Sequence, residues 1–220
     1  MNITLHPLTL SLRYPFTLGN GSSRTHTPVL LIELSHEGHT AYGEAAMPPY
    51  LGEDHHTATA FINRVDFGRF SFPFDFADIH QYLDDLAPGN SAAKAGIDLA
   101  LHDLDGKLQG KPLWEILGSD PVFMRPTAYT VGIDTPEIVA DKVIEATPFN
   151  YIKVKLGSAD DLAIITAINE VNSKPLYADV NQGWKNKEHA LELVHWLKEK
   201  GVVWIEQPFA KDDLASQQWL

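Results

Sequence analysis

The chain has 220 residues, 44% of them hydrophobic and 21% charged, which suits a soluble globular protein of one large or two smaller domains and argues against disorder. A formal net charge of −12 argues against general affinity for nucleic acid or an anionic membrane and points to a small-molecule partner. With no cysteine there is no disulfide framework, thiolate zinc site or cysteine nucleophile. The start, MNITLHPLTL, lacks a basic n-region and no apolar run approaches bilayer length, so the expected location is the cytoplasm.

In chain order, Ile3 to Leu12 alternates as a strand, and a loop from Leu18 to Thr27, rich in Gly and Ser, carries Arg24. Val29 to Leu34 is a short apolar run, and Glu37-Gly38 supplies a turn before His39 to Ala45. These predict an antiparallel meander. The segment Gly43 to Glu53 contains two prolines, Tyr50 and Leu51. Helices follow. The best begins with Ser91 as N-cap and stops at Gly110, with Ile97, Leu101, Leu104 and Leu108 at helical spacing. Residues 1–122 are thus expected to form an α+β domain.

Residues 123–220 alternate strand and helix. Strands are predicted at Tyr129 to Ile133, Tyr151 to Leu156, Leu176 to Val180 and Val202 to Glu206, with helices at Thr135 to Ala146, Ala159 to Val171 and Lys187 to Lys200. Asp212-Asp213 reads as the start of a further helix. This pattern means a parallel sheet or barrel. A β/α barrel takes eight strands and ~250 residues, so the expectation is the first half of a barrel in a truncated sequence, with ~100 to 150 residues to follow. An open four-stranded sheet is the alternative.

Within YIKVKLG (Tyr151 to Gly157), Lys153 and Lys155 fall on one side of the strand and Val154 on the other. Ammonium groups that close disfavour each other's charge, so the pKa of at least one is expected to fall toward a value useful to a general base. YADVNQGW (Tyr177 to Trp184) and VVWIEQP (Val202 to Pro208) place Asp179 and Glu206 at the ends of apolar strands. Carboxylates there are costly unless paired or bound to a cation. With the amide oxygen of Asn181 they form a hard oxygen set suited to Mg²⁺, whereas lysine–carboxylate salt bridges are the other use of the same residues. Asp179 follows Lys155 by 24 positions and Glu206 follows Asp179 by 27, close to the ~31 residues per unit of an eight-unit barrel.

KVKLG, DVNQGW and IEQP at these intervals resemble the enolase superfamily, in its muconate-lactonizing-enzyme-like subgroup, over essentially the whole chain. The resemblance implies an α+β capping domain joined to a modified β/α (TIM-type) barrel. It also implies Lys155 as the proton-transfer base, Lys153 as its electrostatic neighbour, and Asp179 and Glu206 as ligands of a Mg²⁺ cofactor. A lysine or histidine base working with one or two Mg²⁺ ions is the known pattern of this superfamily. A third acidic ligand and a lysine on the opposite face would lie beyond Leu220, so this chain alone is expected to be inactive.

The loops carrying Arg24 and Tyr50-Leu51, and the segment TAYTVGID (Thr127 to Asp134), are similar to those of L-Ala-D/L-Glu type dipeptide epimerases. That similarity implies substrate binding by Arg24, through a bidentate pair with an acidic side chain, and by Tyr50, Leu51, Thr130 and Asn181. The implied activity is Mg²⁺-dependent dipeptide epimerisation by α-proton abstraction through a metal-stabilised enediolate. Cycloisomerases, o-succinylbenzoate synthase and N-acylamino acid racemase share that mechanism, and a catalytically incomplete binding module is the rival from another class. The implied partner is a small carboxylate or dipeptide, with no nucleic acid or membrane; large symmetric assemblies are common in the superfamily and allow a homo-oligomer.

Overall fold

The computed structural model describes residues 1–220 and divides into two compact units: Met1–Leu12 with His26–Met124, and Arg13–Thr25 with Arg125–Leu220. No helix is long and apolar enough to cross a membrane.

The N-terminal sheet has the order β1 (Asn2–Thr17), β2 (Ser23–His36), β3 (His39–Ala46). The expected turn is present: Glu37 and Gly38 have φ of 49° and 79°, and β2 pairs antiparallel with β3 in a register that sets His36 against His39, as a two-residue hairpin with left-handed central residues requires. The expected Leu18 to Thr27 loop is shorter than the composition suggests. The Leu18 N–H donates to Ser22 O and the Gly21 N–H to Leu18 O, both at 2.9 Å, so the turn closes by Ser22 and the following residues join β2.

Helices α1 (His55–Ile62), α2 (Phe76–Leu86), α3 (Ser91–Gln109) and α4 (Leu113–Ile116) complete the first unit. Leu30, Ile32 and Leu34 alternate inward along β2, Ala41 and Ala45 along β3, and all pack into one core with Ile97, Ala100, Leu101 and Leu104 of α3. The contact between α3 and β3 is set by two glycines. A Cβ on Gly43 would lie 2.0 Å from Gly96 O, and one on Gly96 would lie 2.9 Å from Ala45 N, so only hydrogen fits at either. One expected cap is corrected. Ser91 is the first helical residue, and Asn90 occupies the cap in a left-handed conformation without a side-chain bond to the helix. Its amide instead donates to Pro88 O, while the Glu53 carboxylate accepts the Ala92 and Ala93 N–H groups at 3.0 and 3.3 Å. An acceptor from a distant loop satisfies the orphan donors that a local Ser was expected to take.

The second unit is the α/β part. Strands β4 (Ala128–Val131), β5 (Tyr151–Lys155), β6 (Leu176–Asp179) and β7 (Val202–Glu206) form a sheet in sequence order, with every adjacent pair parallel. The intervening helices are α5 (Pro136–Glu145), α6 (Asp161–Val171) and α7 (Lys187–Glu199), and α8 (Leu214–Trp219) follows β7. Thr135, Asn186 and Asp213 cap α5, α7 and α8 through their side chains, as their residue types favour. Ile152 and Val154 of β5, Ile164, Ile165 and Ile168 of α6, and Leu193 and Leu197 of α7 share one core. β4 ends at Val131, before the expected Ile133, because the Ile133 N–H leaves the sheet to donate to Thr17 O at 3.1 Å. The hairpin end is further tied to α5 by Arg13 and Tyr14, which donate to Glu145 at 2.8 and 2.9 Å.

Candidate active site

Parallel pairing aligns the C-terminal ends of the strands. Lys155 is registered beside Asp179, Asp179 beside Glu206, and Thr130 beside Lys153. The four charged side chains meet as an alternating chain: Lys155 Nζ lies 2.6 Å from Asp179 Oδ2, Lys153 Nζ lies 2.9 Å from the same oxygen, and Lys153 Nζ lies 2.6 Å from Glu206 Oε2. Asp179 is 2% exposed and Lys155 8%, while Glu206 is open to solvent.

Burial works against the charge on Asp179, but the hydrogen bonds from Lys155 and Lys153, the Lys155 charge and the Asn181 N–H outweigh it and hold the carboxyl below its usual range. The lowering expected of at least one of the two lysines does not fall on Lys153. Burial lowers its pKa, yet the bonds and charges of Glu206 and Asp179 prevail and raise it. The like-charged neighbour that motivated the expectation is neutralised by the carboxylate lying between the two ammonium groups. These salt bridges are the arrangement held as the alternative to metal ligation.

The loops after the strands are unusual in conformation. Asn181, Gln182 and Gln207, which follow Asp179 and Glu206, have φ of 48°, 66° and 48°, a region that non-glycine residues seldom adopt and that clusters at functional sites. The Gln182 N–H donates to Gln207 O at 2.8 Å, joining the two loops. Asn181 Oδ1 is buried and has no hydrogen-bond partner. That orphaned oxygen, two residues after Asp179, together with two carboxylates in register, fits a hard divalent cation in donor type. The cluster supplies two carboxylates rather than three, and no group of three or more His, Cys, Asp or Glu side chains in the chain is arranged to hold a metal ion.

The second unit thus holds Lys153, Lys155, Asp179 and Glu206 together, with Asn181 and Thr130 beside them. Arg24 is in the same unit, exposed on β2. Its guanidinium lies 5.6 Å from the Phe16 ring centroid, and Lys155 Nζ lies 5.9 Å from the same centroid. Tyr50 and Leu51 belong to the first unit, where they form an exposed single-turn helix with Pro49.

Sequence reasoning passed over Phe16, Asp161, Gln182, Trp184 and Gln207. Gln182, Trp184 and Gln207 stand inside DVNQGW and IEQP, so their positions were visible although their contacts were not. Phe16 gave no signal, since its part depends on the hairpin end reaching Lys155.

Residues 2–118 match the family described as mandelate racemase / muconate lactonizing enzyme, N-terminal domain, and residues 138–220 match that described as enolase C-terminal domain-like. The L-Ala-D/L-Glu epimerase of Bacteroides thetaiotaomicron is 47% identical over 221 residues, covering 100% of this chain and 57% of that protein. An L-Ala-D/L-amino acid epimerase of Pedosphaera parvula is 34% identical, covering 96% and 62%. Among solved structures, the dipeptide epimerase from Enterococcus faecalis complexed with Mg and L-Leu-L-Tyr superposes with a TM-score of 0.84 at 28% identity, covering 97% of this chain and 62% of that one. The dipeptide epimerase from Cytophaga hutchinsonii complexed with Mg and D-Ala-L-Val gives 0.80 at 29% identity, covering 94% and 58%. The chain spans between 57% and 62% of the length of these four proteins.

Proposed function

The chain belongs to the mandelate racemase and muconate lactonizing enzyme family of the enolase superfamily, and from that premise we propose that its protein is a Mg²⁺-dependent dipeptide epimerase of the L-Ala-D/L-Glu type. The observation that carries the reading is the alternating cluster of Lys155, Asp179, Lys153 and Glu206 at the strand ends. The similarity to epimerases that act on dipeptides supports the substrate class.

Lys155 is the base that takes the α-proton. It is nearly buried, beside an aromatic ring and with a single carboxylate partner, so its amine is kept from bulk water at the point of transfer. Lys153 holds its ammonium charge, which its two carboxylate neighbours favour, and directs it at the substrate carboxylate, where negative charge grows as the proton leaves. Asp179 and Glu206 would hold Mg²⁺, with the Asn181 amide oxygen as a further hard donor. When bound, the cation supplies positive charge against the developing carboxylate charge. Arg24 pairs with an acidic side chain of the dipeptide, and Thr130 and Asn181 make polar contacts.

The direct test is α-proton exchange. L-Ala-L-Glu incubated with the full-length protein and Mg²⁺ in D₂O is expected to lose its glutamyl α-proton signal by NMR, and chelation is expected to stop the loss. If neither L-Ala-L-Glu nor any other dipeptide incorporates deuterium, the reading fails.

A further inference from the structure

Asp161, the first residue of α6, is 5% exposed and carries a charge that the proposed chemistry does not use. Its partners are all neutral. The Gly157 N–H donates to both carboxylate oxygens at 3.0 Å, the Ser158 N–H and hydroxyl donate to Oδ1 at 2.9 and 3.1 Å, and the Trp184 indole N–H donates to Oδ2 at 3.3 Å. A buried carboxylate is costly unless such bonds are made in number. A residue that served only as a cap for its own loop would need Gly157 and Ser158 and no more.

The indole belongs elsewhere. Gly157 and Ser158 follow Lys155 at the end of β5, whereas Trp184 follows Asp179 and Asn181 at the end of β6. The two loops also touch through their backbones: a Cβ on Gly183 would lie 2.8 Å from Gly157 Cα, and one on Gly19, from the hairpin end, would lie 2.2 Å from Leu156 O and 2.1 Å from Val180 O. With no side chain between them, movement of one loop is passed directly to the other.

We infer that Asp161 is a positioning residue: through Gly157, Ser158 and the Trp184 indole it locks the loop after Lys155 to the loop after Asp179, and so fixes the base against the carboxylate. The catalytic half of this inference rests on the proposed roles of Lys155 and Asp179; the coupling of the two loops does not.

Two variants test it. Asp161→Asn replaces one acceptor oxygen by a donor, and Trp184→Phe keeps the ring while removing only the indole N–H. Amide hydrogen exchange read by mass spectrometry is expected to quicken about tenfold in both residues 156–158 and residues 180–184 with Asp161→Asn. Trp184→Phe is expected to move both segments less but in the same direction. In the α-proton exchange assay, kcat is expected to fall about tenfold to a hundredfold with KM little changed, as misplacement of reacting groups produces. Quickened exchange in 156–158 alone, or an unaltered kcat in a variant whose two loops have both loosened, overturns the inference. If Asp161→Asn does not fold, Trp184→Phe decides. If the unsubstituted protein exchanges no α-proton, the epimerase reading falls while the amide exchange still decides whether Asp161 couples the loops.

Discussion

Lys155 and Lys153 are adjacent in charge and position, yet they differ in surroundings. Lys155 faces one carboxylate and the Phe16 ring, whereas Lys153 bridges Asp179 and Glu206. Lys155→Met therefore removes the base and should lower α-proton exchange by about 10²- to 10⁴-fold, while Mg²⁺ affinity measured by calorimetry persists because both carboxylates remain. Loss of affinity with retained exchange would reverse the assigned roles. The K-x-K spacing was enough to read that both lysines share a side, because strand alternation is local. The direction of the Lys153 shift was not readable, because it depends on Glu206, which is 53 residues away in sequence and 2.6 Å away in space.

At the scale of elements, α3 and α5 show where local rules hold and where packing overrides them. Gly96→Ala ought to favour α3 by about 1 kcal/mol on helix propensity. Its new Cβ, however, would lie 2.9 Å from Ala45 N and 2.8 Å from Ile32 Cδ1, and a backbone atom in a sheet cannot yield as a side-chain end can. A net loss of about 1–3 kcal/mol in chemical denaturation is expected, and a gain would show that α3 and β3 are less closely packed. Just before α5, burial opposes the charge of Asp134, but the bond from Lys142, the Thr135 N–H and the Lys142 charge hold its carboxyl below the usual range. Stability from this pair is full above the ordinary Asp value of about 3.9 and is lost as pH falls through the lower folded value. Asp134→Asn should accordingly flatten the acid limb of Tm against pH; an unchanged limb would assign the acid sensitivity elsewhere. The start of α5 was legible because Thr135 and Pro136 are local signals. The cap of α3 was misread because its acceptor, Glu53, lies 39 residues before Ala92.

At the scale of the molecule, each unit has its own core, and the paired charges lie at one end of the parallel sheet. A cation bound by Asp179 and Glu206 in the folded chain alone would stabilise it by mass action, by about 2.7 kcal/mol at a hundredfold excess over Kd. Scanning calorimetry should show Tm rising with Mg²⁺ and not in Asp179→Asn; an equal rise in that variant would place the cation elsewhere. Sequence alone determined the α+β and then β/α order, the parallel strands, the shared side of Lys153 and Lys155, and the strand-end positions of Asp179 and Glu206. All of these follow from periodicity and spacing, which act over a few residues or repeat once per unit. Only the tertiary structure decided which carboxylate neutralises which lysine, that the hairpin end brings Phe16 to Lys155, and that Asp161 joins two loops. Those depend on ångström distances between segments far apart in the chain, and no local pattern encodes them.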